Sequence, residues 1–217
     1  MDATHASVQL NGAAPSLFLA SSAIASSEER TLHQSIKDAV ATGDLDTFKE
    51  IVDKKKLPIQ CVDAQNGWPV LFYAIKYGQN QIVSHLLDRG HESEGPSKDF
   101  AQNTALLIAA EYRNEEALAV YVNEYPDVMD MANQMGQTAL MIAASKGLTT
   151  SIATLLDLGA NSGLLDGDGS TCLHYAMAYG SAEASVLLIE KGGVSMHIKN
   201  KKHFTAHDYA YSADLLF

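Results

Sequence analysis

Cys172 and His174 come nearest, in this chain of 217 residues, to a nucleophile and its base. Cysteine attacks as its thiolate, so the chemistry would need an imidazole placed to take the proton. Side chains two residues apart on a helix point to different faces, which breaks that path. Asp166-Gly167-Asp168-Gly169 opens like a calcium loop. Such a loop requires glycine at its sixth position and glutamate at its twelfth, where Thr171 and Met177 stand. His197, His203 and His207 could ligate zinc, but no cysteine lies near them to complete a set. A phosphate-cradling glycine loop is absent from the sequence. No catalytic, metal-binding or cofactor-binding residue is expected, and no cofactor.

The elements that carry these residues repeat. Ala39, Ala74, Ala109, Ala143, Ala176 and Ala210 recur at intervals of 35, 35, 34, 33 and 34 residues. A period of this size marks units that cannot bury an apolar face alone and must stack into an elongated core. Function is then sought on an extended surface rather than in one cleft.

The flanking residues describe the unit. Four positions after the first five alanines stand Gly43, Gly78, Arg113, Gly147 and Gly180; five before the last five stand Pro69, Thr104, Thr138, Thr171 and Thr205. Three before come Ile36, Leu71, Leu106, Leu140, Leu173 and His207. Leu86-Leu87, Leu155-Leu156 and Leu188-Ile189 precede closing glycines at 90, 159 and 192. The threonine hydroxyl is expected to cap a first helix, the alanine to permit close helix contact, and the glycine to turn the chain into a second, antiparallel helix. An extended finger then leads to the next unit.

Gly136-Gln137-Thr138-Ala139-Leu140-Met141-Ile142-Ala143-Ala144-Ser145-Lys146-Gly147 and Gly169-Ser170-Thr171-Cys172-Leu173-His174-Tyr175-Ala176 are the most regular copies. The pattern resembles the ankyrin repeat, G-x-T-P-L-H-x-A-A-x-x-G, over roughly residues 30 to 213. The resemblance implies an all-α solenoid of stacked helix-turn-helix units with extended fingers: five repeats, from an N-terminal cap near residues 31–52, and a truncated sixth. His174 occupies the family's histidine slot and is expected to bond neighbouring loops. His203 and His207 fall in the glycine and leucine slots of the last unit. Pro69 offers no capping hydroxyl, and Arg113 and Gln102 replace glycines, so the third unit is the least regular.

Residues 1–29, rich in serine and alanine, read as a disordered tail, and 214–217 as a short C-terminal end. The stretch from Ala13 to Ala25 is apolar, but no Lys or Arg precedes it, so a signal peptide is not expected. No run of ~20 apolar residues offers a membrane span. Fifteen basic residues against 26 acidic ones give a formal charge of −11, the wrong sign for gripping nucleic-acid phosphates. Lys54-Lys55-Lys56 and Lys199 to Lys202 read as solvated turns. Two cysteines, Cys61 and Cys172, fit a reducing setting, cytosolic or nuclear.

Recognition remains. The ankyrin resemblance implies binding of protein partners by the finger tips and by the concave side of the first helices. The concave positions before the turn glycine are Lys76-Tyr77, Glu111-Tyr112, Ser145-Lys146 and Ala178-Tyr179. Tyrosine supplies large contact area at small entropic cost, so Tyr77, Tyr112, Lys146 and Tyr179, with Lys76 and Glu111, form the candidate stripe; the rings could instead pad the groove between repeats. Tyr73, Tyr175 and Tyr209 fall in an inward slot and are expected in the core. Trp68 and Phe204, at the two ends of a mostly polar finger row through Asn103, Gln137 and Ser170, are candidate anchors or end covers; Phe100 and Met135 lie near the tips.

A narrower resemblance rests on Asn66-Gly67-Trp68, Gly90-His91 followed by a polar insertion, Asn103-Thr104, Pro126, the segment from Asp166 to His174, Tyr179-Gly180-Ser181 and Gly193-Val194-Ser195-Met196. These are similar to the ankyrin subunits of the fungal second target-of-rapamycin kinase complex. That resemblance implies a non-enzymatic adaptor or accessory subunit, cytoplasmic and brought to the plasma membrane by its complex without inserting. A stand-alone inhibitor of an enzyme, or the interaction part of a longer enzyme, are the other readings. The truncated sixth unit fits an end covered by a partner or continued by further chain.

Overall fold

The computed structural model describes residues 27–55, 62, 63 and 65–214; Cys61 and Lys56 lie outside them, as do the side chains of Lys54 and Lys55, and so does most of the N-terminal tail. Eleven α-helices occur among the described residues: α1 (Ser27–Thr42), α2 (Leu45–Lys55), α3 (Val70–Lys76), α4 (Asn80–Asp88), α5 (Ala105–Glu111), α6 (Glu115–Glu124), α7 (Ala139–Ser145), α8 (Thr149–Asp157), α9 (Cys172–Ala178), α10 (Ala182–Glu190) and α11 (Ala206–Asp214). They form five antiparallel pairs and one unpaired helix. The odd-numbered helices pack in sequence as one layer, α1 on α3 through to α9 on α11, and the even-numbered helices as a second. Core side chains lie between the layers, as the ankyrin resemblance predicts.

The repeating alanine is what lets the first layer close. Ala74, Ala109, Ala143 and Ala176 are at most 1% exposed, and Leu71, Leu106, Leu140 and Leu173 three positions before them at most 2%. His207 breaks the leucine row and stands exposed on the last helix.

Helix capping follows the threonines unevenly. Thr138 accepts from the Met141 amide at 3.4 Å. Thr205 accepts from the Asp208 amide at 3.4 Å, and the Asp208 carboxylate returns a bond to the Thr205 amide at 2.7 Å, a reciprocal cap that holds the carboxyl of Asp208 below the usual aspartate range. Thr104 departs from the expected role: its hydroxyl is buried without a partner. Pro69 supplies no side-chain cap, as its chemistry dictates.

Between the pairs, the fingers are tight hairpins whose turn requires positive φ, a conformation that costs a side-chain-bearing residue about 1–2 kcal/mol. Gly67, Gly136 and Gly169 supply it in three fingers; Gln102 (φ 63°) and His203 (φ 64°) are forced into it in the others. Arg113 (φ 60°) does the same at the helix turn where Gly78, Gly147 and Gly180 serve elsewhere. The irregular slots therefore keep the repeat's backbone and store its strain.

Because the Arg113 side chain is exposed, Arg113→Gly should relieve strain while losing little packing, offset partly by added unfolded-state entropy. A gain of about 0.5–1 kcal/mol is expected in urea unfolding; a lower midpoint would refute this account of the turn.

Candidate functional site

The chemistry-bearing residues are tied into the scaffold. His174 Nδ1 accepts from the Thr171 amide at 3.0 Å, which places its proton on Nε2, and Nε2 bonds the Phe204 carbonyl of the next finger at 3.2 Å. The imidazole is thus a link between repeats, as its slot implied. The buried Cys172 thiol reaches the Ser162 carbonyl at 3.5 Å, and burial pushes its pKa to about 12. It carries no thiolate at neutral pH. Asp166 accepts from the Asp168 and Ser170 amides through Oδ1 and from the Tyr175 hydroxyl through Oδ2, an inter-repeat turn. Among the described residues no three His, Cys, Asp or Glu side chains gather as a metal site.

One buried charged cluster escaped the sequence reading. Glu92, in the polar insertion after α4, is 3% exposed. Its Oε1 pairs with His91 Nδ1 at 2.9 Å; its Oε2 accepts from the Ser97 amide at 2.6 Å and from the Tyr121 hydroxyl at 3.1 Å. Burial alone would raise its pKa, but the bonds from His91 and Ser97 more than offset this and hold it below the ordinary 4.5. Burial and the Glu92 charge push the Tyr121 phenol far up. The carboxylate is committed to folding the insertion onto α6 rather than to moving a proton.

The concave stripe is present as a surface. Tyr77, Tyr112 and Tyr179 are 44%, 36% and 69% exposed, and Lys146 Nζ stands 3.8 Å from Glu111 Oε1, an exposed pair worth little energetically. Trp68 differs from an exposed finger anchor. It is half-buried, its Nε1 donates to Asp99 Oδ2 at 3.1 Å, and Phe72, Tyr73 and Tyr112 pack around it. The Lys76 ammonium sits over the Trp68, Tyr77 and Tyr112 rings. The tyrosines at 77 and 112 therefore both face solvent and pad the groove, so the two readings of the stripe are not exclusive. Phe204 is 50% exposed at the last finger, in edge contact with Tyr209. Phe100 and Met135, each 60% exposed, occupy adjacent finger tips.

The inward tyrosines lie at the margin of the core, with Tyr73 and Tyr175 packed against it. Tyr73, Tyr175 and Tyr209 are half-buried, because each hydroxyl is held by the finger base: Tyr73 by Asp63, Tyr175 by Asp166 and Gln137, Tyr209 by Asn200. The sequence carried an unread signal here. Asp63, Asp99, Asn133, Asp166 and Asn200 recur at nearly the repeat interval, and in the last four fingers one side-chain oxygen accepts two backbone amides of its own turn.

The family model for ankyrin repeats matches residues 32–130 and 122–200. The chain belongs to the ankyrin-repeat family. Ankyrin arrays are protein-binding modules, and the concave row of this one carries three exposed tyrosines, Tyr77, Tyr112 and Tyr179. Among known proteins, the Target of rapamycin complex 2 subunit AVO2 of Saccharomyces cerevisiae is 25% identical over 182 residues, which is 83% of this chain and 43% of that protein. The palmitoyltransferase AKR1 of Lachancea kluyveri is 34% identical over 127 residues, 56% of this chain and 17% of that protein. A probable E3 ubiquitin-protein ligase of rice, XBOS31, is 35% identical over 114 residues, 52% of this chain and 25% of that protein. The chain thus spans less than half the length of these relatives. No helix among the described residues is long and apolar enough to cross a membrane.

Because the Glu92 carboxyl titrates below its unfolded value, its stabilisation is complete above about pH 4.5 and lost as pH falls through the folded pKa. Glu92→Gln should cost about 1.5–3 kcal/mol at pH 7 and flatten the loss of stability below pH 4.5. Parallel acid-unfolding profiles for parent and variant would contradict this assignment.

Proposed function

We propose that this ankyrin array is a non-catalytic adaptor, an accessory subunit of a target-of-rapamycin kinase assembly, cytoplasmic and drawn to the plasma membrane by that assembly. The observation that carries the proposal is the breadth of the match to AVO2, 83% of this chain, where the palmitoyltransferase and ligase matches stop near half. The described side chains support a binding role over turnover. Cys172 is a buried thiol, His174 and Asp166 are spent on inter-repeat bonds, and Glu92 is enclosed.

The concave row of Tyr77, Tyr112, Lys146 and Tyr179, with Lys76 and Glu111, is the interface in this reading. Tyr77 and Tyr112 combine exposure with rings packed on Tyr73 and Trp68, and restraint before binding lowers the entropy lost on association. Phe204 and the Phe100 and Met135 tips lie on the finger side and extend the surface an elongated partner would cover. Trp68 contributes from beneath, by holding Tyr112.

Affinity capture from native lysate tests this directly, comparing the parent with a folded Tyr77→Ala, Tyr112→Ala, Tyr179→Ala variant. Target-of-rapamycin kinase components should be recovered by the parent and depleted at least about tenfold with the variant, the loss expected when aromatic hot spots are truncated. Absence of those components from the parent's capture would sink the assembly assignment, and equal recovery by both chains would move the interface off the concave row.

A further inference from the structure

Lys76 lies in the concave row, yet its ammonium is held against rings. Nζ is 5.3 Å from the Tyr112 ring centroid, 5.5 Å from that of Trp68 and 5.7 Å from that of Tyr77, each inside the ~6 Å range over which a ring face attracts a cation. Trp68 and Tyr112 meet at 88° with centroids 6.0 Å apart, making a corner rather than a slot. The back wall is fixed: Asp99 holds the indole nitrogen, the Ala101 and Asn103 amides hold Asp99, and Tyr73 packs on the indole with centroids 5.3 Å apart. The Tyr77 and Tyr112 walls are open to solvent.

The geometry points to this box of Trp68, Tyr77 and Tyr112 as a receptor for a methylated lysine ammonium on a protein partner, with Lys76 as its displaceable internal guest. The inference deepens the concave-interface reading and rests on it. An exchange argument selects the guest. A partner's unmodified lysine would replace one ammonium by another and gain nothing against the cost of association. A winning guest must shed water more readily than Lys76 does. Methylation achieves that while keeping the charge, and quaternary ammonium groups are the cations that aromatic cages recognise. Guanidinium is also weakly hydrated, but it is planar and stacks flat on a ring; two walls at a right angle suit a compact, rounded cation.

Charge agrees with a cationic partner. The chain carries −11 formally, and Glu111, the concave residue one repeat beyond Lys76, is engaged only by the 3.8 Å approach of Lys146 among the pairs seen on this surface. Expelling Lys76 is undemanding, since a lysine at a half-buried position can swing its ammonium into water along its flexible stem.

Trp68 is the only tryptophan of the chain, so its fluorescence reads the box without a label. Tetramethylammonium chloride is titrated at constant ionic strength against the parent, Lys76→Ala, Lys76→Gln, and Lys76→Ala combined with Tyr112→Ala, with methylguanidinium as a second ligand. Tetramethylammonium should give a saturable change, with a dissociation constant about fivefold or more lower in the two single Lys76 variants, where the internal competitor is gone. Adding Tyr112→Ala should abolish it, and methylguanidinium should bind more weakly. No saturable change in either Lys76 variant with parental circular dichroism, an unaltered response in the Tyr112 variant, or tighter methylguanidinium binding would overturn the proposal. Failure here leaves kinase-complex capture unaffected, so the two readings fail separately.

Discussion

One side-chain oxygen at the base of each of the last four fingers decides the geometry of this protein. At Asp99, Asn133, Asp166 and Asn200 it accepts two backbone amides of its own turn, adding to the one backbone bond that the same residue's amide donates across the hairpin. Each such bond contributes about 0.5–1.5 kcal/mol net, and more where the acceptor is a carboxylate. The closed hairpins then stack through single backbone bonds, Gln134 to Ala101, Gly167 to Met135 and Lys201 to Asp168. Stacking sets the interval between first helices, and that interval sets the concave row.

The same residues reach the helices through their second oxygen or amide nitrogen. Asp166 and Asn200 take Tyr175 and Tyr209; Asp63 takes Tyr73 together with Lys37; Asp99 has no tyrosine in that slot and takes the Trp68 indole instead. That substitution gives the second and third repeats their aromatic box. Irregularity in this array and its most distinctive surface therefore have one origin. The strained Gln102 turn lies in the same finger.

Fold was legible in the sequence because the burial pattern is nearly one-dimensional: a small residue every 33 to 35 positions, with leucine three before it and a turn residue four after, leaves few other ways to stack. The exposed tyrosine slots were legible for the same reason. What escaped depends on which polar group a side chain finds. Tyr73, Tyr175 and Tyr209 sit on inward positions, but their hydroxyls need partners and lean toward the finger base. Trp68 sits on the finger, but its indole N–H turned inward to Asp99. Glu92 was hidden in an insertion outside the period, where repetition carries no information. Thr104 shows the converse, a motif residue whose expected bond does not form.

Amide hydrogen exchange on Asp99→Ala tests the central claim most directly. If the finger-base oxygen organises the array, the Ala101 and Asn103 amides lose their protection, and Gln134 in the next finger follows because its acceptor is the Ala101 carbonyl. Protection of the α9 and α10 amides should stay at parental levels. Unchanged exchange at Ala101, Asn103 and Gln134 in a folded variant would contradict the account and leave helix packing alone as the determinant of the stack.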